Sequence, residues 1–272
     1  MKPAPFDYAK PRTIAEATAL AAQAGSNASY LAGGQSLIAM LNMRLATPKL
    51  LIDVSRLEDA QHISETDTHV AVGCATRQVA LEQWSALARK LPLVAKAIPW
   101  VGHIQTRSRG TVCGSIAHAD PSSELPLCLA MMNGEIELTT RRRKRVVEAR
   151  EFFQGALQTV RRDGELITEV RFPIDTTAIG TAFHEFAIRH GDFAIISVAV
   201  IARSDGLTIG IGGGADRPEV RAWPLLEGTA MDDALNELAW SLDCQDDLHA
   251  TARYRRHLIR SLGKRAVQEA LT

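Results

Sequence analysis

Apolar and polar positions alternate along the chain with two periods, and the period changes often. Residues 13–24 (TIAEATALAAQA) carry helical spacing; Thr13 stands where a cap belongs, Glu16 follows three residues on as in a capping box, and Gly25 supplies a stop. The stretch 29–36 (SYLAGGQS) reads as a short strand entering a glycine loop, and 37–46 (LIAMLNMRLA) as a helix ended by Thr47-Pro48. Strands are predicted at 49–57 and 68–76, helices at 77–90 and 93–98. Residues 107–132 begin as a polar loop, with Asp120-Pro121 as the helix start, and end in an apolar helix. A hairpin is predicted from 135–140 and 144–149 around Arg141–Arg143, then a short helix at 151–156 and a strand at 164–173 stopped by Pro173. Past a joint at 173–181 come strands at 181–189, 193–203 and 207–212 and helices at 230–242 and 248–262. Several strands adjoin without intervening helices, and no repeat is visible, so the fold class is α+β rather than a repeating βα array.

Composition narrows the function classes. Lys plus Arg and Asp plus Glu are each 31, a net charge of zero, which argues against a polyanion-binding surface. The run Arg141–Arg145 is then best read as a solvated hairpin tip, with a partner-docking surface as the alternative. Cys74, Cys113, Cys128 and Cys244 are far apart and form neither a disulfide framework nor an iron–sulfur or zinc set. No segment resembles a signal peptide, and the longest apolar run, 193–202, is shorter than the roughly 20 residues a bilayer needs. A soluble cytoplasmic protein is expected.

Two loops stand out. In LAGGQS (31–36) and GTVCGS (110–115), Gly, Ser and Thr precede apolar residues, so backbone N–H groups can approach an anionic ligand closely. The first loop taken alone reads sooner as a plain strand-to-helix turn, and Asp120 at least as readily as a mere cap, though capping and ligand contact can coexist. GIGGGA (210–215) fits a dinucleotide fingerprint in letters, but Pro218 and Pro224 exclude the helix that the fingerprint requires; a strand end and turn is the better reading. None of the histidines forms an H-E-x-x-H pair, and no G-x-S-x-G elbow occurs. No metal ligand and no catalytic acid or base is nominated.

Taken together, LAGGQSLIAMLNMRLATPKLLIDVSRL and RGTVCGSIAHADPSSELP closely resemble the FAD-binding medium subunit of the molybdenum hydroxylases, the xanthine dehydrogenase and aerobic carbon monoxide dehydrogenase family. The resemblance continues in GELITEVRFP, FAIRHGDFAIISVAV and ATARYRRHLIRSLGKRAV, and so covers essentially the whole chain. It implies a two-lobed FAD-binding domain of the vanillyl-alcohol-oxidase (PCMH) type over residues 1–175 and a smaller C-terminal α/β domain, of the carbon monoxide dehydrogenase flavoprotein type, over 176–272. The implied cofactor positions are Ala32, Gly33, Gly34, Gln35 and Ser36 in the first loop and Thr111, Cys113, Gly114 and Ser115 in the second. His118, Asp120 and Glu124 would add polar contacts, and Leu37, Val101, Ile104, Leu166 and Ile167 apolar ones. The implied partners are a large molybdopterin subunit and a small [2Fe–2S] subunit, often doubled into a dimer of heterotrimers. The chain itself would pass electrons from those clusters through FAD to a final acceptor. A stand-alone flavoenzyme of the same superfold and a non-redox nucleotide-binding module are the rival readings. Departures from the family pattern are Cys113, where a glycine is usual, and Glu185 and Ile188, where basic residues are usual. The last two are expected to alter the surface offered to an electron acceptor.

Overall fold

Three strands near the amino end, β1 (Asp7–Ala9), β2 (Ala28–Leu31) and β3 (Leu50–Asp53), pair in parallel in the order β1-β3-β2. The structure is a computed structural model and describes residues 2–272. The connection from β1 to β2 is α1 (Ile14–Ala24), capped as the sequence predicts: Thr13 Oγ1 accepts from Glu16 N at 3.2 Å. The reciprocal bond is displaced by one residue, because the Glu16 carboxylate accepts from Arg12 N at 2.7 Å while an Asp59 oxygen takes the Ile14 N–H at 3.1 Å. The next helix, α2 (Leu37–Asn42), is shorter than the predicted 37–46. Arg44 turns left-handed at φ 57°, and Leu45 N folds back to Met40 O at 2.9 Å, closing the helix before Thr47-Pro48.

The central sheet is antiparallel throughout. Its order is β4 (Ile63–Glu65), β5 (His69–Gly73), β10 (Leu166–Pro173), β6 (Glu135–Thr139) and β7 (Lys144–Glu148). Strand β10 lies between two strands that precede it by many residues, a long-range pairing that local patterning cannot announce. Six short helices separate β5 from β6: α3 (Gln78–Glu82), α4 (Leu87–Lys90), α5 (Pro92–Ala97), α6 (Ile104–Arg107), α7 (Val112–His118) and α8 (Glu124–Met131). The single helix predicted over 77–90 is therefore two. Trp84 N to Leu81 O and Leu87 N to Trp84 O are three-residue turns that re-aim the chain, so that Leu81 and Leu87 are both buried. Asp120-Pro121 does not start a helix either. The Asp120 carboxylate accepts from Ser122 N at 2.9 Å in a turn, and α8 begins only at Glu124. The predicted helix at 151–156 is α9 (Ala149–Phe152), giving way to a small ribbon of β8 (Phe153–Gly155) and β9 (Gln158–Thr159).

The rest of the chain is an antiparallel meander, β11 (Gly180–Phe186), β12 (Ile196–Arg203), β13 (Gly206–Gly212) and β14 (Glu219–Trp223), followed by α10 (Thr229–Ser241) and α11 (Ala252–Leu271). Strand β14 was not predicted; the two prolines that exclude a helix there bracket an edge strand instead. One face of this sheet joins Val198, Val200, Ile209 and Ile211 to the apolar faces of α10 and α11. The other face contributes Phe183, Ala199 and Ile201 to the main core shared with the central sheet. Among the described residues no helix is long and apolar enough to cross a membrane.

Candidate functional site

Residues 31–36 leave the carboxyl end of β2, the edge at which parallel sheets open to ligands. Gly33 lies directly against the second loop. A Cβ there would overlap the Arg109 carbonyl oxygen and stand 2.5 Å from Gly110 Cα. Gly34 adopts φ 74°, a left-handed turn that glycine takes without strain. The second loop is held from beneath: Gln78 N donates to Gly110 O at 2.9 Å and Val112 N to Thr76 O at 3.2 Å. Thr111 is the N-cap of α7, its hydroxyl accepting from Gly114 N at 3.0 Å, so residues 112–118 are helical rather than loop. This also accommodates Cys113. It sits buried in the helix with ordinary backbone angles, its thiol directed at Val72 O at 3.5 Å.

The two loops line one cleft of about 570 Å³, within the usual range for small-molecule sites. Every predicted cofactor position lines it except Ile104 and Asp120. Ile104 is half exposed at the start of α6, outside the lining. Asp120 lies in the turn between α7 and α8, its carboxylate 4.0 Å from His118 Nε2. Of the family departures, Ile188 is exposed, whereas Glu185 is buried and offers no surface to a partner.

The anion-binding capacity of the cleft resides in the main chain. Among the described residues, the N–H groups of Ala32, Gly33, Gly34, Gln35 and Ser36 donate to nothing within the chain. Among the described residues no lysine lines the cleft and Arg161 is its one guanidinium, with Nη1 donating to Glu165 O at 3.1 Å. Glu165 itself is not a free acid. Burial pushes its carboxyl up, but paired 2.8 Å bonds from Arg145 and one from Arg162 N hold it below the ordinary range. Arg145, predicted at the solvated end of the hairpin tip, thus anchors the cleft floor.

Several lining residues had no sequence signal. Tyr30 donates its hydroxyl to Gly164 O at 3.0 Å, and burial pushes its phenol up to about 12. Gln78 Oε1 is buried without a partner beside Gly110. Gly191, Asp192 and Phe193 come from the turn between β11 and β12. Only the left-handed conformation at Gly191, φ 87°, was hinted at by its letter.

Residues 4–175 match the family described as the FAD binding domain in molybdopterin dehydrogenase. The chain belongs to that family. It is 35% identical to the carbon monoxide dehydrogenase medium chain of Afipia carboxidovorans, covering 99% of this chain and 98% of that one. It is 33% identical to the 6-hydroxypseudooxynicotine dehydrogenase complex subunit alpha of Paenarthrobacter nicotinovorans, over 100% and 96% of the two chains. Among solved structures it superposes on a chain of the reconstituted CO dehydrogenase from Oligotropha carboxidovorans with a TM-score of 0.94, at 33% identity and 99% coverage of both chains. The CO dehydrogenase from Hydrogenophaga pseudoflava gives 0.93, at 29% identity and 100% and 99% coverage. The chain is thus a flavoprotein oxidoreductase subunit of the molybdenum hydroxylase type with an α+β fold. The residues present fit an FAD: among the described residues, five main-chain N–H groups without partners in the chain belong to a loop that lines the cleft, and Gly33 lets that loop lie directly against the second.

Proposed function

We propose that the cleft between residues 32–36 and 110–115 holds the FAD, and that the chain relays electrons from partner-held [2Fe–2S] clusters to a final acceptor. The observation that carries this reading is the contact of Gly33 with Arg109 and Gly110, which sets both loops over one ligand space. The N–H groups of residues 32–36 would take up the negative charge of the diphosphate, with Gly34 curving the backbone so that they converge. Thr111, Gly114 and Ser115 would close the second side. Leu166 and Ile167, at the start of β10, and Val101 present apolar walls for a ring. Bound there, FAD supplies the exchange between one-electron and two-electron carriers.

The named relatives are medium chains or subunits of larger enzymes. We extend that to this chain as a large molybdopterin subunit and a small [2Fe–2S] subunit, assembled as a dimer of heterotrimers in the cytoplasm. Four buried free thiols suit a reducing compartment. We place the division of labour at residue 175, with 1–175 binding FAD and 176–272 bracing it through the shared face of the β11–β14 sheet. The decisive experiment purifies the full chain alone and offers it FAD. A yellow, stoichiometric complex that no hydroxylase substrate reduces is expected. A chain that stays colourless, or one that substrate bleaches without partners, overturns the proposal.

A further inference from the structure

Gln78 stands at the seam where the two loops meet. A Cβ at Gly33 would lie 2.5 Å from Gly110 Cα, and a Cβ at Gly110 would lie 2.8 Å from Gln78 Oε1. The first loop, the second loop and the Gln78 carboxamide therefore adjoin in that order. Backbone contacts fix the residue there. Gln78 N donates to Gly110 O at 2.9 Å, and its neighbour Arg77 forms an isolated antiparallel bridge with Thr111. Arg77 Nη1 also donates to Ser108 O at 2.8 Å. Gln78 is 4% exposed, and it lines the cleft.

The two ends of the carboxamide differ. Oε1 is fully buried and accepts no hydrogen bond. Among the described residues Nε2 has no partner in the chain either, but it keeps accessible surface, and the cleft is the space that Gln78 lines. The donors around Oε1 are committed elsewhere. Gly110 N and Arg109 N both donate to Thr106 O, at 2.7 and 3.1 Å. Arg107 Nε bonds Glu82 at 2.8 Å, and its Nη1 takes the carbonyls of Val101 and Gly102. Turning the amide over would gain nothing. Thr106 O stands on the same side of Gly110, 3.1 Å from an added Cβ, but it already accepts twice. A buried acceptor left unpaired disfavours the fold and calls for an explanation outside it.

We propose that Gln78 is a cofactor-binding residue whose Nε2 donates to a diphosphate oxygen of the flavin dinucleotide, adding a side-chain donor at the loop seam to the N–H groups of residues 32–36. This rests on the cleft being the FAD site. A diphosphate presents acceptors only, so it selects the amide orientation with nitrogen toward the cleft and oxygen inward. The inner oxygen is unpaired with or without ligand, and the free chain bears that cost. A neutral donor also suits a cleft that, among the described residues, no lysine lines.

The test compares the full-length wild type with Gln78→Met and Gln78→Glu, by thermal unfolding without FAD and by fluorescence titration with FAD. Methionine keeps the length of the side chain and removes both polar ends. Gln78→Met should therefore unfold about 2–4 °C higher than the wild type, because the orphaned oxygen is gone. Its FAD affinity should nevertheless fall roughly tenfold, because the donor is gone too. The opposite signs separate a ligand contact from a prop beneath the second loop, which would move stability and affinity together. Gln78→Glu sets a carboxylate against the diphosphate and should lose more affinity than Gln78→Met. Gln78→Met binding FAD within threefold of a wild type that does bind it overturns this proposal alone. An affinity loss accompanied by a lower unfolding temperature also overturns it, since the residue is then structural. A wild type that binds no FAD overturns the cofactor reading and this proposal with it.

Discussion

Gly33→Ala puts the paired-loop contact to a direct trial. The new Cβ would lie 2.5 Å from Gly110 Cα and 2.8 Å from the Arg109 carbonyl carbon, with that residue's oxygen closer still. Carbon atoms rest at about 3.5–4.0 Å, so the loops must part by roughly 1 Å. All the obstructing atoms are backbone, so no side chain can swing aside. Overpacking of this kind costs about 1–3 kcal/mol. Because the parted loops are also the ones proposed to hold the diphosphate, the same displacement should appear in FAD binding as a roughly 10- to 100-fold loss of affinity. Fluorescence titration of the full chain with FAD reads the affinity, and circular dichroism verifies the fold. Gly34→Ala is the companion variant. It strains a left-handed backbone at φ 74° but meets only the Ile38 side chain, at 3.1 Å, so it should cost about 1 kcal/mol and less affinity than Gly33→Ala. Gly33→Ala binding FAD within threefold of wild type would refute the argument that this contact sets the site.

Folding raises the proton affinity of Glu185 from an ordinary 4.5 to about 9, so the folded chain holds a proton that the unfolded chain releases, and stability is lost as pH climbs through that window. At pH 7 the loss reaches roughly 3 kcal/mol, which Glu185→Gln should recover while matching the wild type near pH 4.5; parallel denaturation curves at both pH values would contradict this. Arg255→Met strands the carbonyls of Ile195 and Gly213 and should destabilise the chain by about 2–4 kcal/mol in urea unfolding, with Asp247 adding little because it is largely exposed. Tyr30→Phe removes one bond to Gly164 O and should cost about 1 kcal/mol. All four thiols are buried, so a thiol reagent should label none of them until the chain unfolds.

Local chemistry was readable wherever one residue type answers one local demand. Thr13 and Gly25 bound α1, Arg141–Arg143 turn the β6–β7 hairpin, and the prolines flanking 219–223 exclude the helix that a dinucleotide fingerprint needs. The glycine loops were visible for the same reason, since close backbone approach and a left-handed turn both require the absence of a Cβ. Helix ends were less readable. The left-handed Arg44 is closed by a local bond from Leu45 N to Met40 O, and the break at Trp84 buries both Leu81 and Leu87; intrinsic propensity announces neither.

The sequence by itself therefore determined the two loops, the neutral charge that leaves anion binding to main-chain amides, and the membership of its family. Only the tertiary structure decided that residues 33 and 110 touch, that Arg145 clamps Glu165 at the cleft, and that Glu185 is buried with neither carboxylate oxygen partnered. Those outcomes depend on which strands become neighbours, above all β10 between β5 and β6 and the face that the β11–β14 sheet turns toward α8. Such pairings are chosen by burial summed over the whole chain, and no single stretch of residues carries that sum.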